Sequence, residues 1–245
     1  MRTLLAVLTA LCLLAACARP VVPPPKTAAY YLQEGEKMFD RGLFEEAIAN
    51  WEKVRESYYS PELNIIAELK IAEAYFLAEK YPEAAAAYED FLKQHPNSDR
   101  VSQALYQLGL SYFRQMLPAD RDQTATRSAL ATFRNLVKRF PDDPHLEEVK
   151  VYIGRCEDRL AEHEVYVAKW YLKTGKPKAA IDRLEAMFRT YPNYFYRDEA
   201  WLCLGKAYLL TGQKEKAVKA FNTLFREFPS SPFIIEAQKF MEKHY

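Results

Sequence analysis

The segment Trp201-Leu202-Cys203-Leu204-Gly205-Lys206-Ala207-Tyr208, followed by Ala217, Phe221 and Pro229, constrains the fold of this chain more than any other feature. Its frame, with Asp198 as position 1, also fits earlier segments. Starting at Ala28 it places Gly35, Met38, Ala47 and Trp51 at positions 8, 11, 20 and 24. Starting at Ile65 it places Ala72, Tyr75, Ala84, Tyr88 and Pro96, and starting at Ala161 it places Ala168, Tyr171, Ala180, Leu184 and Pro192. A segment from Ser102 carries Gly109 and Tyr112, with Ala129, Phe133 and Pro141 following eight residues late. A period of this length with helical apolar spacing means stacked helix–turn–helix units.

The pattern has a mechanism. Small residues at positions 8 and 20 let the two helices of a hairpin approach closely. Large aromatics at 11 and 24 are expected to fill the space between hairpins. Gly42, Gly175 and Gly212 fall at position 15, the turn, where glycine adopts a left-handed conformation cheaply. Proline at position 32 stops the second helix. The signature is similar to the tetratricopeptide repeat, so the expected fold is all-α, a superhelical solenoid of about five helical hairpins. Two irregularities interrupt it. Extra residues occur around Gln115–Gln123, and Leu146–Leu160 is expected to fuse with the next helix into one long helix to Lys173.

The N-terminus carries a different signal. Arg2, the apolar run Leu4–Leu14 and the small residues Ala15 and Ala16 read as a secretory signal, too short to span a bilayer. Leu14-Ala15-Ala16-Cys17 resembles the lipobox of bacterial lipoproteins. That resemblance implies cleavage between Ala16 and Cys17, diacylglycerol and an N-acyl chain on Cys17 (palmitate among them), and an anchored protein. A plain signal peptide with an incidental cysteine is the alternative. Ala18 after the cysteine points to the outer membrane. Pro20, Pro23, Pro24 and Pro25 favour an extended stalk. The expected organisation is therefore 1–16 signal peptide, 17–27 lipidated tether, 28–145 repeats one to three, and 146–245 long helix plus repeats four and five.

Composition excludes several classes. With 34 basic and 33 acidic residues, no basic field recommends nucleic acid. Seven glycines form no phosphate-binding loop. His95, His145, His163 and His244 are scattered without metal-ligand spacing, so no metal, other cofactor or catalytic residue is expected, and the chain reads as a non-enzyme. Cys156 and Cys203 sit in apolar helical contexts and are expected buried and free, although a pairing stays open.

Solenoids of this kind bind partners on the concave face. Phe39, Phe76 and Phe113 share position 12, and with Tyr106 and Leu110 they form a candidate groove for an aromatic-bearing segment. Packing of these rings between helices is the equal alternative.

The lipobox, the proline stalk, five repeats and the long helix together resemble the BamD family of the β-barrel assembly machinery. More specific are Asp120-Arg121-Asp122-Gln123, Asp158-Arg159-Leu160-Ala161-Glu162-His163-Glu164 and Val167-Ala168-Lys169-Trp170-Tyr171. The resemblance implies a scaffold on the periplasmic face of the outer membrane. Such a scaffold binds the periplasmic domains of the barrel component BamA, engages unfolded outer-membrane proteins during insertion, and leaves room for accessory Bam lipoproteins. It also implies an ionic contact to BamA from Arg183, in Asp182-Arg183-Leu184-Glu185, where an ordinary surface pairing with Glu185 or a neighbour is the alternative. Another envelope repeat lipoprotein, such as a pilus-secretin pilotin or a Tol–Pal-type coordinator, is the runner-up.

Overall fold

The computed structural model describes residues 26–56 and 60–244. The lipobox, Ala16, Cys17 and the prolines up to Pro25 lie outside them. The described residues form eleven α-helices and no strand: α1 (Ala28–Asp40), α2 (Phe44–Arg55), α3 (Pro61–Leu77), α4 (Tyr81–Gln94), α5 (Val101–Arg114), α6 (Thr124–Arg139), α7 (Leu146–Lys173), α8 (Pro177–Thr190), α9 (Arg197–Leu210), α10 (Lys214–Glu227) and α11 (Ile234–His244). The pairs α1/α2, α3/α4, α5/α6, α7/α8 and α9/α10 are the five tetratricopeptide hairpins. The third joins α5 to α6 through the longer segment 115–123.

Four hairpin turns share one geometry. The amide of Gly42 donates to Phe39 and that of Leu43 to Met38, at 2.8 and 2.9 Å. Gly175/Lys176, Gly212/Gln213 and Glu79/Lys80 repeat the same two bonds. This motif satisfies carbonyls that the helix end would leave orphaned. It needs a left-handed residue, and φ is 74°, 71° and 76° at the three glycines. Glu79 occupies the fourth turn at φ 58° despite its Cβ. The second helices end on time as well: α4, α8 and α10 each stop two residues before Pro96, Pro192 or Pro229.

Packing inside the hairpins corrects one expectation. The position-24 rings lie within their own hairpin, on the position-8 glycine, rather than between hairpins. A Cβ at Gly205 would come within 2.6 Å of the Phe221 ring, and one at Gly35 or Gly109 would overlap Trp51 or Phe133. Trp51, Phe133 and Phe221 are fully buried there. Where the facing residue is Tyr88 or Leu184, alanine suffices at position 8, as Ala72 and Ala168.

Helix α7 divides its apolar face between two cores. Val149, Cys156 and Leu160 complete the core of α5 and α6. Ala161, Val165 and Ala168 begin the core shared with α8, α9 and α10. The long segment 115–123 is fastened to this helix: His163 Nδ1 lies 2.6 Å from the Ala119 carbonyl. Within the segment, buried Gln123 donates to the Pro118 and Arg121 carbonyls and accepts from the Thr126 hydroxyl. Asp122, just ahead of the helix, accepts from the Thr124 amide at 2.8 Å. The Asp120–Gln123 motif is thus a local folding device.

Candidate functional site

Arg183 projects from α8 into a cleft of about 470 Å³ between α7 and α8, lined also by Glu164, Tyr171, Asp182 and Tyr191. Helical spacing brings these groups together. Glu164 and Tyr171 stand seven residues apart on α7, two turns along the face that meets α8. Arg183 Nη1 donates to Glu164 Oε2 at 2.8 Å. That bond, with further support from Tyr171, raises the guanidinium's pKa above its ordinary value. The side chain is still 43% exposed, so part of its five-donor fork faces solvent. Its partner is thus Glu164 across the hairpin and not Glu185 on its own helix. Glu185 instead accepts from Tyr208 at 2.6 Å and lies 4.0 Å from Arg189.

The groove residues are placed differently from an open stripe. Tyr106 is buried, its hydroxyl donated to Glu148 at 2.8 Å and its ring stacked on His145 with centroids 4.1 Å apart. Phe113 meets Tyr152 at 4.7 Å. Helix α7 therefore covers the α5 end of the candidate groove. Phe39 packs against Phe44 and Trp51, and Phe76 against Tyr81. These rings and Leu110 are half-buried, each packed against a core cluster rather than presented as one continuous stripe. A cavity does exist beside them. It holds about 480 Å³ between α3 and α5, where apolar Ile65, Ile66 and Leu69 meet charged Glu62, Glu73, Asp99 and Arg100. The signal for it was the run of apolar residues at the start of α3, which the position-12 argument passed over.

Two of the scattered histidines are paired with carboxylates. His95 Nε2 lies 2.7 Å from Glu68, and His145 Nδ1 lies 3.0 Å from Asp143. Among the described residues no cluster of His, Cys, Asp and Glu could hold a metal. Cys156 and Cys203 are free and buried, and burial pushes both thiols up to about 12. No described helix is long and apolar enough to cross a membrane.

A family model described as outer membrane lipoprotein, YfiO, matches residues 24–217. The outer membrane protein assembly factor BamD of Caulobacter vibrioides is 30% identical over 173 residues, covering 71% of this chain and 57% of the relative. Its counterpart in Rickettsia prowazekii is 28% identical over 167 residues, covering 68% of this chain and 66% of the relative. That of Vibrio cholerae is 26% identical over 197 residues, covering 76% and 82%. The chain thus spans less than two thirds of the first two relatives.

Proposed function

The chain belongs to the YfiO family of outer membrane lipoproteins, and on that premise we propose that it is an assembly scaffold for outer-membrane proteins, anchored through Cys17 and docked on BamA through Arg183. The observation that carries this reading is the posture of Arg183. A carboxylate from the neighbouring helix holds the guanidinium at the mouth of a cleft, yet leaves donors open. Such a pre-oriented fork receives an incoming carboxylate in two parallel bonds. A lysine there would supply charge without the fork. Unfolded outer-membrane proteins would be engaged elsewhere, in the cavity between α3 and α5, where apolar side chains meet charged ones of both signs. Accessory Bam lipoproteins complete the proposed partner set. The scaffold needs no catalytic group, and its proposed place is the periplasmic face of the outer membrane.

The test is affinity purification of the protein from envelopes, comparing wild type, Arg183→Glu and Arg183→Lys. The expected outcome is recovery of BamA with wild type, loss with the glutamate and a marked decrease with the lysine. Equal recovery by all three removes Arg183 from the interface, and recovery of a secretin instead of BamA overturns the function. A parallel Cys17→Ala variant should leave the membrane fraction and lose acyl mass. If it stays acylated, the anchor assignment is wrong.

A further inference from the structure

The solenoid repeats one groove along the faces of its second helices. The two outer copies each lie between two successive second helices, over the first helix of the later hairpin. The cleft at Arg183, lined by α7 and α8, uses the same register, with Glu164, Tyr171 and Arg183 at repeat positions 4, 11 and 23. A groove near the N-terminus is formed at the same positions by Glu68, Tyr75 and Ala87. A third, over α9, has Trp201, Tyr208 and Ala220. Common geometry makes their chemical differences informative.

The two outer grooves carry opposite charge. Glu52, Glu68, Glu83 and Asp90 line the N-terminal one against Arg55 alone. Arg189, Lys216 and Lys219 line the C-terminal one against Glu185 alone. Position 19 reads Glu83 in one and Lys216 in the other, and position 22 reads Ala86 and Lys219. Glu185 is already occupied by Tyr208 and approached by Arg189. Among the described residues no carboxylate lies within 4 Å of Lys216 or Lys219. Lys216 sits 5.3 Å over the Tyr208 ring. The floor is aromatic: Phe188 and Trp201 stack with centroids 4.1 Å apart and planes 24° from parallel. The cavity holds about 330 Å³, room for one large side chain. Lys219 lies beyond residue 217, where the family match ends.

We propose that the groove between α8 and α10 is a docking slot for an acidic segment of a partner protein, which inserts one aromatic or branched apolar side chain against Phe188 and Trp201. Arg189, Lys216 and Lys219 then meet carboxylates flanking that side chain. An apolar floor alone would accept many segments. The cationic rim selects by sign, because a basic segment would face three like charges at close range. The proposal stands independently of Arg183, which lies one groove earlier.

The test uses the full-length protein, purified in detergent, and a fluorescein-labelled peptide, Asp-Glu-Asp-Leu-Phe-Glu-Asp-Glu, followed by fluorescence anisotropy. A peptide with lysine at every acidic position is the control. The expected result is saturable binding of the acidic peptide that weakens as salt rises. The double variant Lys216→Glu/Lys219→Glu should weaken it by at least about tenfold, whereas Arg183→Glu should not. Both lysines are exposed, and an unchanged thermal transition would establish that the double variant is folded. Equal binding of the two peptides, or unchanged affinity of the double variant, overturns the proposal. So does binding of phosphatidylglycerol vesicles that the double variant abolishes while peptide binding stays absent, because the slot would then read lipid phosphate. A double variant that loses the peptide but still recovers BamA separates this slot from the Arg183 contact.

Discussion

Tyr208 donates its hydroxyl to Glu185 at 2.6 Å, and Tyr112 makes the equivalent bond to Glu89 two hairpins earlier. In both cases a tyrosine at position 11 reaches the glutamate at position 25 of the preceding repeat. The signature tyrosine therefore ties neighbouring hairpins together by a polar contact as well as by packing. Tyr208→Phe keeps the ring and removes the bond. It is expected to cost about 1 kcal/mol, lowering the melting temperature by roughly 2–4 °C in a chain of this size. Glu185→Gln should add little on top, since the two residues share one interaction. Fully additive losses in thermal denaturation by circular dichroism would refute the coupling.

Two glycine replacements should act in opposite directions. Gly205→Ala drives a methyl into Phe221, and overpacking of this kind costs roughly 1–3 kcal/mol. Gly154 stands inside α7 with nothing within 4 Å of an added Cβ. Gly154→Ala should stabilise by about 0.5–1 kcal/mol through helix propensity alone. Urea unfolding of the pair decides it: two changes of the same sign would contradict the packing described.

Glu79 is the exception among the four left-handed turns. Glu79→Gly relieves a strain of roughly 1 kcal/mol, partly offset by greater freedom of the unfolded chain. A net gain of a few tenths of a kcal/mol is expected. A loss in chemical denaturation would mean that the Glu79 side chain makes a stabilising contact.

Acid should loosen the start of α7. Hydrogen bonds from Tyr152 and then Tyr106 hold the Glu148 carboxyl below its ordinary pKa. A depressed folded value contributes stability above the unfolded pKa, about 4.3, and loses it as pH falls through the folded value. Tyr152→Phe should therefore flatten the fall in unfolding free energy as pH drops below about 4.3. Parallel curves for the two proteins would exclude this contribution.

Both buried thiols should resist alkylation. The thiolate is the reactive form, and burial suppresses it at Cys156 and Cys203. Iodoacetamide labelling read by mass spectrometry should be negligible in the native protein and complete in guanidinium. Rapid native labelling of Cys203 would reveal local opening of α9.

The repeat frame, the turn glycines and the bounds of α7 were legible in the sequence, because each depends on local chemistry. Periodicity states which face of a helix is apolar, and left-handed turns demand glycine wherever no other residue bears the strain. The neighbour that covers a face is a different matter. Phe113 and Tyr106 sit at groove positions, but α7 returns across α5 and closes over them. Nothing in the spacing of either residue carries that information. Arg183 could likewise be singled out, while its pairing with Glu164 depends on how α7 and α8 cross. The opposed charges of the two outer grooves emerge only when three helices from two repeats are seen together.

Helix α7 belongs to two cores at once, and no loop or proline interrupts its 28 residues. At 1.5 Å per residue it is a strut of about 42 Å. A tilt imposed on one end by a bound partner must appear at the other, because an unbroken helix resists bending more than a hairpin turn does. Load applied at the Arg183 cleft would therefore reach the His145–Tyr106 joint as mechanical displacement. The two cores are thus joined by one continuous helix rather than by a turn.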